Sequence, residues 1–128
     1  MAWRESIEIP PVGHNAPIPM AARVGNLLFS SGIAGADPAT GKLPESVDEQ
    51  AANAFENLAN LLAKAGAKPG DVGHVTVFLK DNAYRQVVNK PWVEMFPDEH
   101  SRPARHAIVN PALNFALQLE IVAVIEGS

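Results

Sequence analysis

Apolar residues recur with a period of two towards both ends of this 128-residue chain and with the period of a helix between them. Ser6-Ile7-Glu8-Ile9 alternates like a strand. Residues 10–19 contain Pro10, Pro11, Pro17 and Pro19, which fix too many φ angles and remove too many donors for a helix or a central strand, so an ordered loop is expected. Residues 21–24 and 27–31 flank Gly25-Asn26, a pair that tolerates positive φ and suits a two-residue hairpin turn. Asp37-Pro38-Ala39-Thr40-Gly41 supplies a second turn before the period lengthens.

Ser46-Val47-Asp48-Glu49 has the spacing of a capping box, and a helix should open there. Val47, Ala51, Ala54, Phe55, Leu58, Leu61, Leu62 and Ala65 share one face, with Glu56, Asn57, Asn60 and Lys64 on the other and Gly66 placed to end it. After a turn at Lys68-Pro69-Gly70-Asp71, residues 72–79 alternate again, Val75, Val77 and Leu79 opposing His74, Thr76 and Phe78. Pro91 argues against one continuous helix over 82–96. The expectation is a short helical turn around 84–88, then a second helix capped by Asn89, with Pro91 in its first turn and Trp92, Met95 and Phe96 on its apolar face. Pro97 ends it, and residues 105–109 and 115–125 read as two closing strands.

The order β, β, β, α, β, α, β, β predicts an α+β fold, one mainly antiparallel or mixed sheet with both helices packed on one face. Neither repeat nor linker interrupts the pattern, so one domain over residues 1–128 is expected. The other sheet face, still apolar, is most simply hidden against copies of the chain in a closed symmetric oligomer.

Composition narrows the picture. With 47% hydrophobic and 19% charged residues the usage is that of a globular protein, and a domain this long buries roughly two thirds of its unfolded surface without metals or disulfides. Zero cysteines remove a thiolate nucleophile and any Cys-based zinc site, and are compatible with a reducing compartment. The first residues lack the long apolar stretch of a signal peptide or membrane span, so a cytoplasmic protein without membrane attachment is expected. A formal charge of -4, with no run of Lys or Arg, argues against nucleic acid as the principal partner. The tryptophans and most phenylalanines are expected in the core.

Two segments carry candidate chemistry. Glu120 lies inside the apolar run of residues 117–125, where a carboxylate marks either a functional site or a wet sheet face, with Gln118 on the same side. His100-Ser101-Arg102-Pro103-Ala104-Arg105-His106 concentrates cationic and titratable groups, and an Arg fork there suits a small acid, a solvated loop being the plainer alternative. His14 and His74 receive no role, and no His pair has zinc-site spacing. Ser31 precedes Gly32 without a nucleophile-elbow sequence, and residues 32–35 are too sparse for a phosphate loop.

Residues 24–32, the turn at 37–41, the helix at 50–62, Val75-Thr76-Val77-Phe78-Leu79, Val88-Asn89, Pro103-Ala104-Arg105 and residues 119–124 together resemble the RidA/YjgF family, over nearly the whole chain. The resemblance implies a chorismate-mutase-like fold, a homotrimer and active sites in clefts between subunits. It implies that Arg105 holds a substrate carboxylate, that Glu120 positions or activates water, and that Ser31 and Asn89 line the pocket. The chain departs from the family pattern at Ile18-Pro19, where Tyr-Ser would stand, and at Ala107, where many members carry Cys. The implied activity is hydrolysis of enamine or imine acids, such as 2-aminoacrylate or 2-iminobutanoate, to 2-keto acids and ammonia, with no cofactor and no metal. The chain is also similar to the 2-aminomuconate deaminase branch, in which Arg102, His100 or His106 would serve a second carboxylate and Ile18 would leave room for a longer acid. A metabolite- or partner-binding trimer without catalysis is the alternative of another class. Some relatives have been assigned ribonuclease or translation-inhibitor roles, and the acidic charge stands against the RNA version.

Overall fold

The sheet is organised around one central strand pair in a computed structural model that describes residues 2–127. The elements are β1 (Arg4–Ile7), β2 (Ala21–Val24), β3 (Leu27–Ser30), β4 (Ile33–Ala34), α1 (Val47–Ala65), β5 (Val72–Leu79), α2 (Arg85–Met95), β6 (Ala104–Val109) and β7 (Leu117–Val124). They form one mixed sheet in the order β1-β2-β3-β7-β5-β6, with the short β4 also pairing β7. β5 and β6 are parallel and joined through α2; the other pairings are antiparallel.

The expected signals act where they stand. Gly25, at φ 60°, makes the two-residue turn between β2 and β3, and the Trp3 ring lies 3.1 Å from where a Cβ on Gly25 would sit. Ser46 Oγ accepts the Glu49 N–H to open α1, and Gly66 closes it in a left-handed conformation while Ala67 N–H bonds to Leu62 O. Both helices lie on one face, where Leu58, Leu61 and Leu62 of α1 pack with Val75, Val77, Leu79, Leu117, Leu119 and Ile121.

Four expectations need correction. Asn57, placed on the polar face of α1, is fully buried and donates to Ala34 O at 3.1 Å and Ala36 O at 2.8 Å, so the carbonyls of the segment beneath the helix draw it inward. Pro91 does not divide the second helix: a 3-10 turn at Asn82–Tyr84 leads into one continuous α2. Proline removes one hydrogen bond there, and unbroken burial of Val88, Trp92 and Phe96 on one face offsets the loss. Asn89 is therefore not a cap. Trp3 is 77% exposed, outside the core, and β4 adds a two-residue strand that apolar periodicity is too short to reveal.

Among the described residues no helix covers the opposite face of the sheet. Val124 is 50% and Phe29 42% exposed there, beside Leu27 and Val122 on the paired strands β3 and β7. No helix among the described residues is long and apolar enough to cross a membrane.

Candidate active site

β6 is an edge strand, and its parallel register with β5 decides where its side chains go. Arg105 pairs with Val75 and Ala107 with Val77, both core-facing, so Arg105 and Ala107 lie on the helix side. The Arg105 Nη2 donates to Asn89 Oδ1 at 2.9 Å, and its Cζ stands 4.8 Å from the centroid of the Trp92 ring. Asn89 and Trp92 are three residues apart on α2, which puts both on one helix face against the guanidinium. Arg85, Val77, Val88 and Ala107 line the same small recess. Partial burial, and then the like charge of Arg85, lower the Arg105 pKa from its ordinary value. The acid–base contacts within 4 Å among the described residues are Lys68–Glu126 and His100–Glu99, so no carboxylate offsets these two arginines. A guanidinium oriented on two sides and lacking an acid partner is suited to take one from solution.

Glu120 stands elsewhere. It pairs with Thr76, and Gln118 with Phe78, so both project from the face without helices. β3 pairs β7 as far as Phe29 opposite Val122, and β4 resumes with Ile33 opposite Leu119. Residues 30–32 therefore face only Glu120 and Ile121, three positions against two, which is the count of a β-bulge. Ser30 Oγ accepts the Ile121 N–H at 2.8 Å and satisfies the interrupted ladder. Ser31 Oγ lies 2.5 Å from Pro19 O, 3.0 Å from Met20 O and 3.1 Å from His14 Nε2, and the Gln118 amide lies against Gly32. Between this bulge and the proline-rich loop is a cavity of about 230 Å³ lined by His14, Asn15, Gly32, Phe115 and Gln118. Ile18, 48% exposed, lines an open groove on the other side of His14 together with Glu8.

The expected residues thus form two groups. Arg105 and Asn89 meet, and Ser31 lies at the bulge facing Glu120. Arg105 and Glu120 do not meet: β5 separates their strands, and they emerge from opposite sheet faces. The period of two fixes each side chain's face, and the register puts these two on opposite ones. Arg102 is engaged at the end of α2, where its Nε donates to Phe96 O at 2.8 Å and its Nη2 to Pro97 O. His106 lies on the other face of β6 from Arg105, its ring 6.2 Å from that of His74. His100 is at the surface with Glu99.

Three contributors went unread in the sequence. Trp92 reads as a core residue only, Arg85 gives no signal of its own, and His14 stands without a role. The first two become legible once α2 is one helix, since residues 85, 89 and 92 then fall along one side. Among the described residues no group of three or more His, Asp or Glu side chains is placed to hold a metal ion.

Comparison with known proteins adds a family to this geometry. The model for endoribonuclease L-PSP matches residues 14–126. A RutC family protein of Aquifex aeolicus is 35% identical over 116 residues, covering 89% of this chain and 90% of the relative. The 2-iminobutanoate/2-iminopropanoate deaminase of Escherichia coli is 30% identical over 109 residues, 84% of this chain and 85% of that protein. The crystal structure of RidA from an Antarctic Psychrobacter superposes with a TM-score of 0.86 at 29% identity, covering 94% and 99% of the two chains.

Proposed function

The chain belongs to the RidA/YjgF family, the one described by the endoribonuclease L-PSP model, and from that premise we propose that it is a cofactor-independent deaminase hydrolysing enamine and imine acids to 2-keto acids and ammonia. The observation that carries this reading is the Arg105 guanidinium, held by Asn89 and Trp92 with no acid partner among the described residues. A planar fork so oriented would take a 2-imino acid carboxylate through two parallel hydrogen bonds. Because Glu120 leaves the opposite sheet face, one ligand would meet both groups only where two copies adjoin. A homotrimer with sites shared between subunits fits this need, and it would also cover Leu27, Phe29, Val122 and Val124.

In the proposed step, Glu120 of the adjoining copy accepts a proton from water as the water oxygen bonds to the imine carbon. The C=N π electrons move to nitrogen, which takes that proton from Glu120. Glu120 then passes the hydroxyl proton of the resulting carbinolamine to its nitrogen, the C–N bond breaks, and ammonia leaves the 2-keto acid. The imine carbon is already electrophilic, so positioning and proton control carry the rate. Ile18 and Ala107, in place of a tyrosine and a cysteine, leave the site more apolar than the family pattern. A second reading, a dicarboxylic enamine acid such as 2-aminomuconate, draws on Arg85 as the second cation beside Arg105.

The test generates 2-iminopropanoate and 2-iminobutanoate with an amino-acid oxidase and follows their decay, with keto acid and ammonia as products. Purified protein at micromolar concentration should accelerate decay well above the buffer rate. Buffer-rate decay, or cleavage of RNA in its place, would overturn the proposal.

A further inference from the structure

Resting on the deaminase reading, we propose that His14 is a positioning residue of this site, donating Nε2–H to Ser31 Oγ and so holding the serine hydroxyl as an acceptor towards the nitrogen of the bound acid. The inference follows from counting protons. Ser31 Oγ has three polar neighbours, Pro19 O at 2.5 Å, Met20 O at 3.0 Å and His14 Nε2 at 3.1 Å, and a hydroxyl has one hydrogen. The two carbonyls only accept. Were the hydrogen given to His14, the serine oxygen would stand 2.5 Å from Pro19 O with lone pairs facing lone pairs. The hydrogen therefore goes to a carbonyl, Pro19 O being nearer, and the contact with His14 requires the imidazole to donate.

Ser31 Oγ is then left with one lone pair and no proton to give. Such an oxygen repels a carboxylate and accepts an N–H, so it complements the imine nitrogen and the departing ammonia, the end of the substrate opposite Arg105. Placement agrees: Ser31 lies in the bulge that faces Glu120, and His14 lines the cavity beside it with Gly32 and Gln118. Within residues 10–19, only His14 and Asn15 carry polar side chains, and Ile18 offers none. The chain's departure from the family pattern at Ile18 thus leaves His14 as the loop's hydrogen-bond donor to this part of the site.

Steady-state kinetics on 2-iminopropanoate, with circular dichroism and assembly mass as folding controls, test the proposal. His14→Ala should lower kcat about tenfold with KM nearly unchanged, and His14→Gln, which keeps an N–H donor, should recover most of the loss. In a Ser31→Ala background His14→Ala should cost nothing further, because the histidine acts through the serine. Long-range proton–nitrogen NMR of the parent should show neutral His14 protonated at Nε2. Parental kcat in folded His14→Ala, additive effects with Ser31→Ala, or an Nδ1–H tautomer would each overturn the role of His14 while leaving the deaminase reading intact. A parent that hydrolyses no imine acid would overturn the deaminase reading and this role with it, the NMR result still reporting the His14–Ser31 geometry separately.

Discussion

Replacing Arg105 with lysine keeps a positive charge on β6 and removes the planar fork, which separates geometry from charge. In the parent, Nη2 is committed to Asn89 at 2.9 Å and the guanidinium lies over Trp92, so its remaining donors are held in a fixed direction. A lysine ammonium would attract the carboxylate but present a single compact donor without the Asn89-fixed plane. The loss is then close to one charge-assisted hydrogen bond, about 1.5–3 kcal/mol, which corresponds to about a tenfold to hundredfold fall in kcat/KM. Arg105→Ala, lacking charge as well, should fall further. The assay is steady-state decay of 2-iminopropanoate, with 2-iminobutanoate as a second substrate and a thermal melt to show both variants folded. Arg105→Lys at the parental kcat/KM would refute the claim that fork geometry holds the acid. Equal losses for Lys and Ala would leave the fork in place and refute the share given to charge.

Three further outcomes follow from the same structure. Asn57→Ala leaves Ala34 O and Ala36 O without their buried donor and should destabilise the protein by about 2–4 kcal/mol, lowering the melting midpoint by roughly 10 °C; an unchanged melt would contradict the role given to this amide. Phe29→Lys puts a charge on the helix-free sheet face and should yield monomers by sedimentation, whereas an intact trimer would show that this face is not the contact. Arg85→Gln should raise KM for a dicarboxylic enamine acid and spare 2-iminopropanoate, and equal effects on both would remove the second-cation argument.

Local chemistry made much of the fold readable. The Gly25 turn, the Ser46 cap, the Gly66 stop and the alternation of β5 are each set by residues within a few positions of one another. What sequence spacing left unread was decided by contacts distant along the chain. Asn57 is polar at a position of ordinary helical surface, and only the carbonyls of residues 34 and 36 explain its burial. Pro91 reads as a helix break because proline's penalty is local, whereas the packing that buries Val88 and Trp92 and keeps α2 whole is not. Splitting α2 in turn hid the row of Arg85, Asn89 and Trp92 on which Arg105 rests. Arg105 and Asn89 were legible as a pair through family resemblance. That Arg105 and Glu120 leave opposite faces required the pairing register, since a shift of one residue would have reversed either one.

The central claim is that one site takes Arg105 from one copy and Glu120 from another, and subunit mixing tests it most directly. Arg105→Ala and Glu120→Gln chains, each nearly inactive as a pure assembly, would be co-expressed with different tags and the mixed trimers isolated. Whichever chain is in the majority, a mixed cyclic trimer has one junction of its three where an intact Arg105 meets an intact Glu120 from the neighbour, so the isolated mixed trimers restore about a third of parental sites. Imine-acid hydrolysis recovering to about that fraction is the predicted result. Mixed trimers no more active than the two pure variants would contradict the account, because a site built within a single chain gains nothing from a neighbour carrying the complementary defect.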